Sequence, residues 1–131
     1  MMHIKNFNDW NKEKQYIHSS HQGFHCRPRQ IWWCSLGINI GSEIDGKNGQ
    51  FERPVIIIKF ISKEMLLVVP LTTKGFPDRN HFEIKTKKTT SFAKITQIRT
   101  MSSKRLLRQI DTLSEDLFLQ LKSWISDFIG S

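Results

Sequence analysis

The chain has 131 residues, enough for one domain with a real core and too few to call for a second. Its 20 Lys+Arg against 12 Asp+Glu give a formal net charge of +8, which suits nucleic acid, an anionic membrane or an acidic protein without choosing among them. No apolar run nears the ~18 residues of a membrane span and no signal-peptide pattern opens the chain, so a cytoplasmic protein without membrane contact is expected, and with it reduced thiols at Cys26 and Cys34 rather than a disulfide.

Residues 1–26 are polar and His-rich and read as an N-terminal arm, partly helical or flexible. Phe7, Trp10 and Ile17 there support at most one short amphipathic helix begun near Asn8. The domain proper is placed at 27–131. "IWWCSL" (31–36), "PVIIIKFI" (54–61) and "MLLVVPL" (65–71) are runs of strand formers. The Ser62-Lys63-Glu64 break predicts a hairpin that pairs the last two antiparallel and buries both. "HFEIKT" (81–86) and "FAKITQI" (92–98) are weaker, half-exposed strands joined by a Lys/Thr turn. "SSKRLLRQI" (102–110) reads as one serine-capped helical turn leading into the clearest helix.

That helix begins near Ser114, with Glu115 and Asp116 in the first turn or, alternatively, a capping box from Thr112 to Glu115. Leu117, Leu121, Trp124, Ile125 and Phe128 form one apolar stripe, and Gly130 ends it. The prediction is a mainly β fold with terminal helices: a bent antiparallel sheet, closing into a partial barrel, with an amphipathic C-terminal helix.

Three candidate chemistries are disfavoured. "HSSHQGFHC" (18–26) gathers His18, His21, His25 and Cys26, but structural zinc sites bring two ligand pairs together across a loop, and Cys34 falls within a strand. No metal is therefore expected. Gly37, Gly41, Gly46 and Gly49 punctuate a loop that lacks the Gly-Lys-Ser/Thr and following helix of a phosphate loop; a long binding loop or lid is the better reading. His81 is the one histidine outside the arm, and nothing in the spacing sets it beside Cys34 or a serine for covalent catalysis.

What coheres is a set of basic and hydroxyl residues at strand ends: Arg53, Thr72, Thr73, Lys94, Thr96, Gln97 and Arg99. A guanidinium with neighbouring hydroxyls suits a phosphodiester. Taken singly, an arginine before a strand is more often a solvated cap, and a Thr-Thr after one more often an exposed strand end.

The order of "RQIWWCSLGINIGSE", "RPVIII", "VVPLTTK" and "TQIRTMSSKRL" resembles the MazF/PemK family of toxin endoribonucleases over about residues 29–125. The resemblance implies an SH3-like, partly closed barrel of about five to seven strands (the CcdB/MazF/Kid-like plasmid-maintenance toxin fold) and a homodimer. It also implies cleavage of single-stranded RNA without cofactor or metal, by attack of the 2′-hydroxyl, and neutralisation by a cognate antitoxin with an acidic, disordered tail. Arg53 and Thr72 match the family's catalytic pair; Glu43, Thr73, Lys94, Thr96, Gln97 and Arg99 match RNA-contacting positions. One departure is plain: Thr96 stands where several relatives carry a carboxylate, leaving Glu43 the nearest acid by motif. That departure motivates a second reading, a non-catalytic RNA- or protein-binding module on the same fold. A third is a toxin that binds another target, such as a topoisomerase. Trp32, Trp33, Phe51 and Phe76 are candidates to stack on bases, with one of the adjacent tryptophans facing inward and the other outward.

Overall fold

The computed structural model describes residues 5–20, 24–47 and 51–130. Helix α1 (Phe7–Ser20) is followed by β1 (Gln30–Ser35), β2 (Glu52–Ser62), β3 (Met65–Thr72), β4 (His81–Lys85), β5 (Thr90–Lys94), β6 (Arg99–Ser102), β7 (Leu106–Thr112) and α2 (Glu115–Gly130). The strands form one antiparallel seven-stranded sheet in the order β4-β5-β3-β2-β1-β7, with β6 also on β3. Strand β3 forks. Its first half, Met65 to Val68, pairs with β6, and its end, Leu71 and Thr72, pairs with β5. Register shifts in the β2–β3 and β1–β7 ladders bend the sheet, which curls without closing.

Val55, Ile56 and Ile57 are consecutive and all fully buried, because the middle of the sheet is covered on both faces. Ile56, Val69, Ile84 and Ile95 pack beneath Phe118, Leu121 and Ile125 of α2. Val55, Ile57, Cys34, Val68 and Leu106 fill the other face. Trp32 is buried there and Trp33, on the opposite face, is half-buried, as alternation along a strand requires. The far half of β2 runs past this core, so the expected burial of the whole hairpin fails at Phe60 and Ile61, which are exposed.

Two segments differ from expectation. The run 92–98 is not one strand: β5 ends at Lys94, and Ile95–Gln97 make a 3-10 turn before β6. The run 102–110 does begin with a turn, Ser103–Arg105, capped by the Ser102 hydroxyl accepting from the Lys104 amide, but it then enters β7 and not the helix. Leu, Arg and Gln favour a helix locally; the ladder to β1 overrides that preference.

Helix α2 starts as expected at Ser114, whose hydroxyl accepts from the Leu117 amide. Phe118 joins its buried face, while Phe128 is partly exposed. Arg29 stitches the ends of the fold together in a left-handed conformation (φ 77°). Its amide donates to Ile57 O, its carbonyl accepts from Leu113 N, and its Nε donates to Leu113 O at 2.9 Å. No helix among the described residues is long and apolar enough to cross a membrane.

Helix α1, capped by Asn6, lies against the Ser103–Arg105 turn and the loop that follows β1. Trp10 and Ile17 are buried. Trp10 meets Phe51 edge-on at 5.4 Å and lies under the Arg105 guanidinium at 5.6 Å. Gly37, at φ +86°, is the backbone it rests on: a Cβ there would stand 2.2 Å from the indole.

Candidate active site

The β2–β3 ladder brings the two ends of the motif pair together. Val55 pairs with Pro70, and carrying that antiparallel register two residues further sets Arg53 opposite Thr72. Both, with Thr73, line one cleft of ≈ 300 Å³, walled by Trp33 and Glu52. Arg53 is held from two sides: its Nε donates to Asp45 O at 2.6 Å and its Nη1 reaches Leu71 O at 3.5 Å. Burial pushes its pKa down, and the neighbouring charge of Asp45 pushes it back up. The Thr72 hydroxyl bonds within its own turn, donating to Lys74 O at 3.3 Å and accepting from Lys74 N at 3.2 Å, so no bond joins it to Arg53 in this state.

The remaining expected contacts scatter. Thr73 is exposed on the rim. Lys94 ends β5 opposite His81, Thr96 is exposed on the 3-10 turn, and Arg99 donates through Nε to Thr100 O. Gln97 accepts from the Ile44 amide at 3.1 Å, tying that turn to the glycine-punctuated loop. None of these four lines the Arg53 cleft. Glu43 is exposed, accepts from the Ile40 amide, and belongs to a second cleft between α1 and the loop, with Phe7, Lys14 and Arg105.

The glycine-punctuated loop is folded down. Gly46 N donates to Gly37 O at 2.6 Å, and the Leu36 and Gly37 amides share Phe51 O; Gly49 lies outside the described residues. Among the proposed stacking aromatics, Trp32 is core with its Nε1 on Gln30, Phe51 is taken by Trp10, Phe76 is exposed, and Trp33 is at the cleft.

Sequence reasoning missed Glu52, Lys47, Ser91 and Arg108. Glu52 is buried at the cleft and gripped by Arg108 through two bonds, 2.8 and 3.1 Å, and Arg108 stacks over Trp33 at 5.2 Å. The signal for Glu52 was its place immediately before Arg53 at the strand start; nothing local marks Arg108, because only the pairing of β7 with β1 brings it there.

The other candidates stand apart from the cleft. His81 pairs with Asp78 at 2.8 Å. His18 and His25 are exposed, Cys26 is buried and His21 lies outside the described residues, among which no three His, Cys, Asp or Glu side chains gather as a metal site. Both cysteines are free thiols. Burial pushes the Cys34 thiol up to about 12, against the pull of Arg105, Arg99 and Arg53.

Residues 27–129 match the sequence model of a family described as PemK-like, MazF-like toxin of type II toxin-antitoxin system; α1 lies outside the match. No curated protein matches the chain. Among solved structures, MazF (Form-I) from Deinococcus radiodurans superposes with a TM-score of 0.67 at 12% identity, covering 82% of this chain and 99% of that one. An endoribonuclease in complex with its cognate antitoxin, from a mycobacterial species, gives 0.63 at 14% identity over 81% and 96%. Mycobacterium tuberculosis toxin MazF-mt6 gives 0.59 at 18% identity over 78% and 97%. At these identities the likeness is one of fold.

Proposed function

Because the chain belongs to the family of PemK-like, MazF-like toxins of type II toxin-antitoxin systems, we propose that it is an endoribonuclease that cuts single-stranded RNA without a metal. The observation that carries this reading is the shared cleft of Arg53 and Thr72 at facing strand ends. In the reaction the substrate's own 2′-hydroxyl gives its proton to a solvent water as its oxygen attacks the adjacent phosphorus, the bond from phosphorus to the 5′-oxygen breaks, and that oxygen takes a proton from water, leaving a 2′,3′-cyclic phosphate and a 5′-hydroxyl. DNA lacks the attacking group and is not cut.

Arg53 donates to the non-bridging oxygens as negative charge grows, from a strand end and two carbonyl contacts that fix its aim. The Thr72 proton turns from the Lys74 carbonyl to a phosphate oxygen, while the hydroxyl keeps accepting from the Lys74 amide. Lys94, Gln97 and Arg99, away from the cleft, serve RNA further along the strand or hold the loop. Proton removal is the weak step. Thr96 is a neutral hydroxyl, Glu43 lies in the other cleft, and Glu52, at the right cleft, already has both oxygens on Arg108. Glu52 takes a proton only when that grip opens, so the rate rests on charge stabilisation by Arg53.

A homodimer and an antitoxin with an acidic tail complete the reading; the +8 net charge favours both RNA and such a tail. Single-stranded RNA incubated with the protein in excess EDTA is expected to yield cyclic-phosphate and 5′-hydroxyl ends, lost in Arg53→Ala. Uncut RNA bound tightly would replace the enzyme by a binding module, and cleavage abolished by EDTA would reject the metal-free route.

A further inference from the structure

The segment outside the family match makes a chain of bonds that ends on Arg53. Lys5 Nζ pairs with the Asp45 carboxylate at 3.1 Å and donates to the carbonyls of Gly41, at 3.1 Å, and Asn39. The same carboxylate accepts from the Asn39 amide at 2.6 Å, and the Asp45 carbonyl accepts from Arg53 Nε, also at 2.6 Å. Asp45 thus bridges the N-terminal segment and the cleft. Trp10 clamps the other side of the loop, seated on Gly37 and against Phe51 and Arg105.

Electrostatics sharpen the point. Asp45 is close enough for its charge to act on the Arg53 guanidinium. With Lys5 and the Asn39 amide holding its oxygens, the carboxylate is occupied. Without Lys5 a carboxylate stands near Arg53 with one partner fewer, and it draws the guanidinium away from the negative charge that grows on the phosphate in the transition state. The loop carrying the Asp45 carbonyl also loses one of its two ties to the N-terminal segment, keeping only Trp10 on Gly37, so the aim of Arg53 loosens.

We propose that Lys5, anchored by α1, is a positioning residue for Arg53: it neutralises Asp45 and fixes the loop whose carbonyl orients the guanidinium. This rests on the reading of Arg53 as the phosphate-stabilising group. The residues that match the family carry the reacting groups, and the added N-terminal segment sets one of them.

The test uses the full chain, with Lys5→Ala, Lys5→Arg and Arg53→Ala separately and Lys5→Ala combined with Arg53→Ala. On single-stranded RNA, Lys5→Ala should lower kcat by about tenfold with KM changed about twofold or less, since a loosened catalytic group acts in the transition state. Lys5→Arg should restore most of the loss. In the Arg53→Ala background Lys5→Ala should do nothing further; additive losses would mean a general weakening of the fold and overturn the proposal. Should the wild-type chain cut no RNA, the functional reading falls by itself, and the positioning is read by amide exchange. The Asn39 and Gly46 amides should exchange at least several-fold faster in Lys5→Ala with β2 and β3 protected as before, and unchanged exchange there overturns it.

Discussion

Arg108 grips Glu52 with both terminal guanidinium nitrogens, Nη1 and Nη2, from β7 to β2, at the wall of the cleft that Arg53 lines. Glu52 is buried while the Arg108 side chain is 55% exposed, so the pair is worth less than a fully buried one. Arg108→Ala should cost about 1–3 kcal/mol, chiefly by leaving a buried carboxylate with fewer partners. Arg108→Lys should recover only part, having no planar fork for two oxygens. Urea unfolding monitored by tryptophan fluorescence reads both, and an Arg108→Ala protein as stable as the parent would contradict the grip.

Arg53→Ala should reduce kcat for RNA about 10²- to 10³-fold, the scale of losing one preorganised donor to a developing oxyanion. Its circular dichroism and unfolding midpoint should hold, because the guanidinium bonds only to carbonyls. Arg53→Lys keeps the charge and loses the fork, and it should remain at least about tenfold slow.

Thr72→Val removes the hydroxyl that serves the Lys74 turn and, in the proposed reaction, the phosphate. A kcat drop of about tenfold is expected, from a hydrogen bond worth ~1–1.5 kcal/mol. Thr72→Ser, which keeps the oxygen, should stay within about threefold. Equal losses in the two variants would remove the hydroxyl from the mechanism.

Gly37→Ala should undock α1. The residue sits at φ +86° with no room for a Cβ under Trp10, so both strain and clash act, at about 1–3 kcal/mol. Limited proteolysis should then cut within the first 26 residues while the sheet survives. A resistant Gly37→Ala protein would mean that the indole has somewhere else to go.

Cys34, fully buried with its pKa pushed up to about 12, stays a thiol at neutral pH and should resist thiol reagents until the chain unfolds. The folded value exceeds the ordinary 9.0, so the folded chain holds the proton more tightly. That contribution is complete below pH 9 and is lost as pH rises toward 12. Stability measured across that window should fall, and Cys34→Ala should fall less steeply.

The strands with uninterrupted apolar runs were legible because burial on both faces writes itself into β2 and β3 directly. The start of α2 was legible too, from Ser114 and the acids behind it. Strand β7 was not: "LLRQIDT" carries helix formers, and only its distant partner β1 makes it extended. The same separation hid Arg108 from the site. Arg53 and Thr72 could be named from motif order, yet their shared cleft is a product of hairpin register, and the bond from Thr72 back to Lys74 has no mark in the sequence. The arm contained its own answer in Trp10 and Ile17, but Gly37, the surface Trp10 needs, lies far along the chain.

The bond from Arg29 to Leu113 spans 84 positions, and this has a bearing on how the molecule is born. A ribosome making the chain releases β1 and β2 well before β7, so the edge of β1 that β7 covers waits, unpaired and adhesive, while the residues between them are made. The wall that Arg108 completes cannot be assembled until β7 has followed β1 and β2 out of the ribosome. A nascent fragment that stops short of β7 therefore keeps a bare sheet edge, lacks the Arg108 grip on Glu52, and is prone to aggregate.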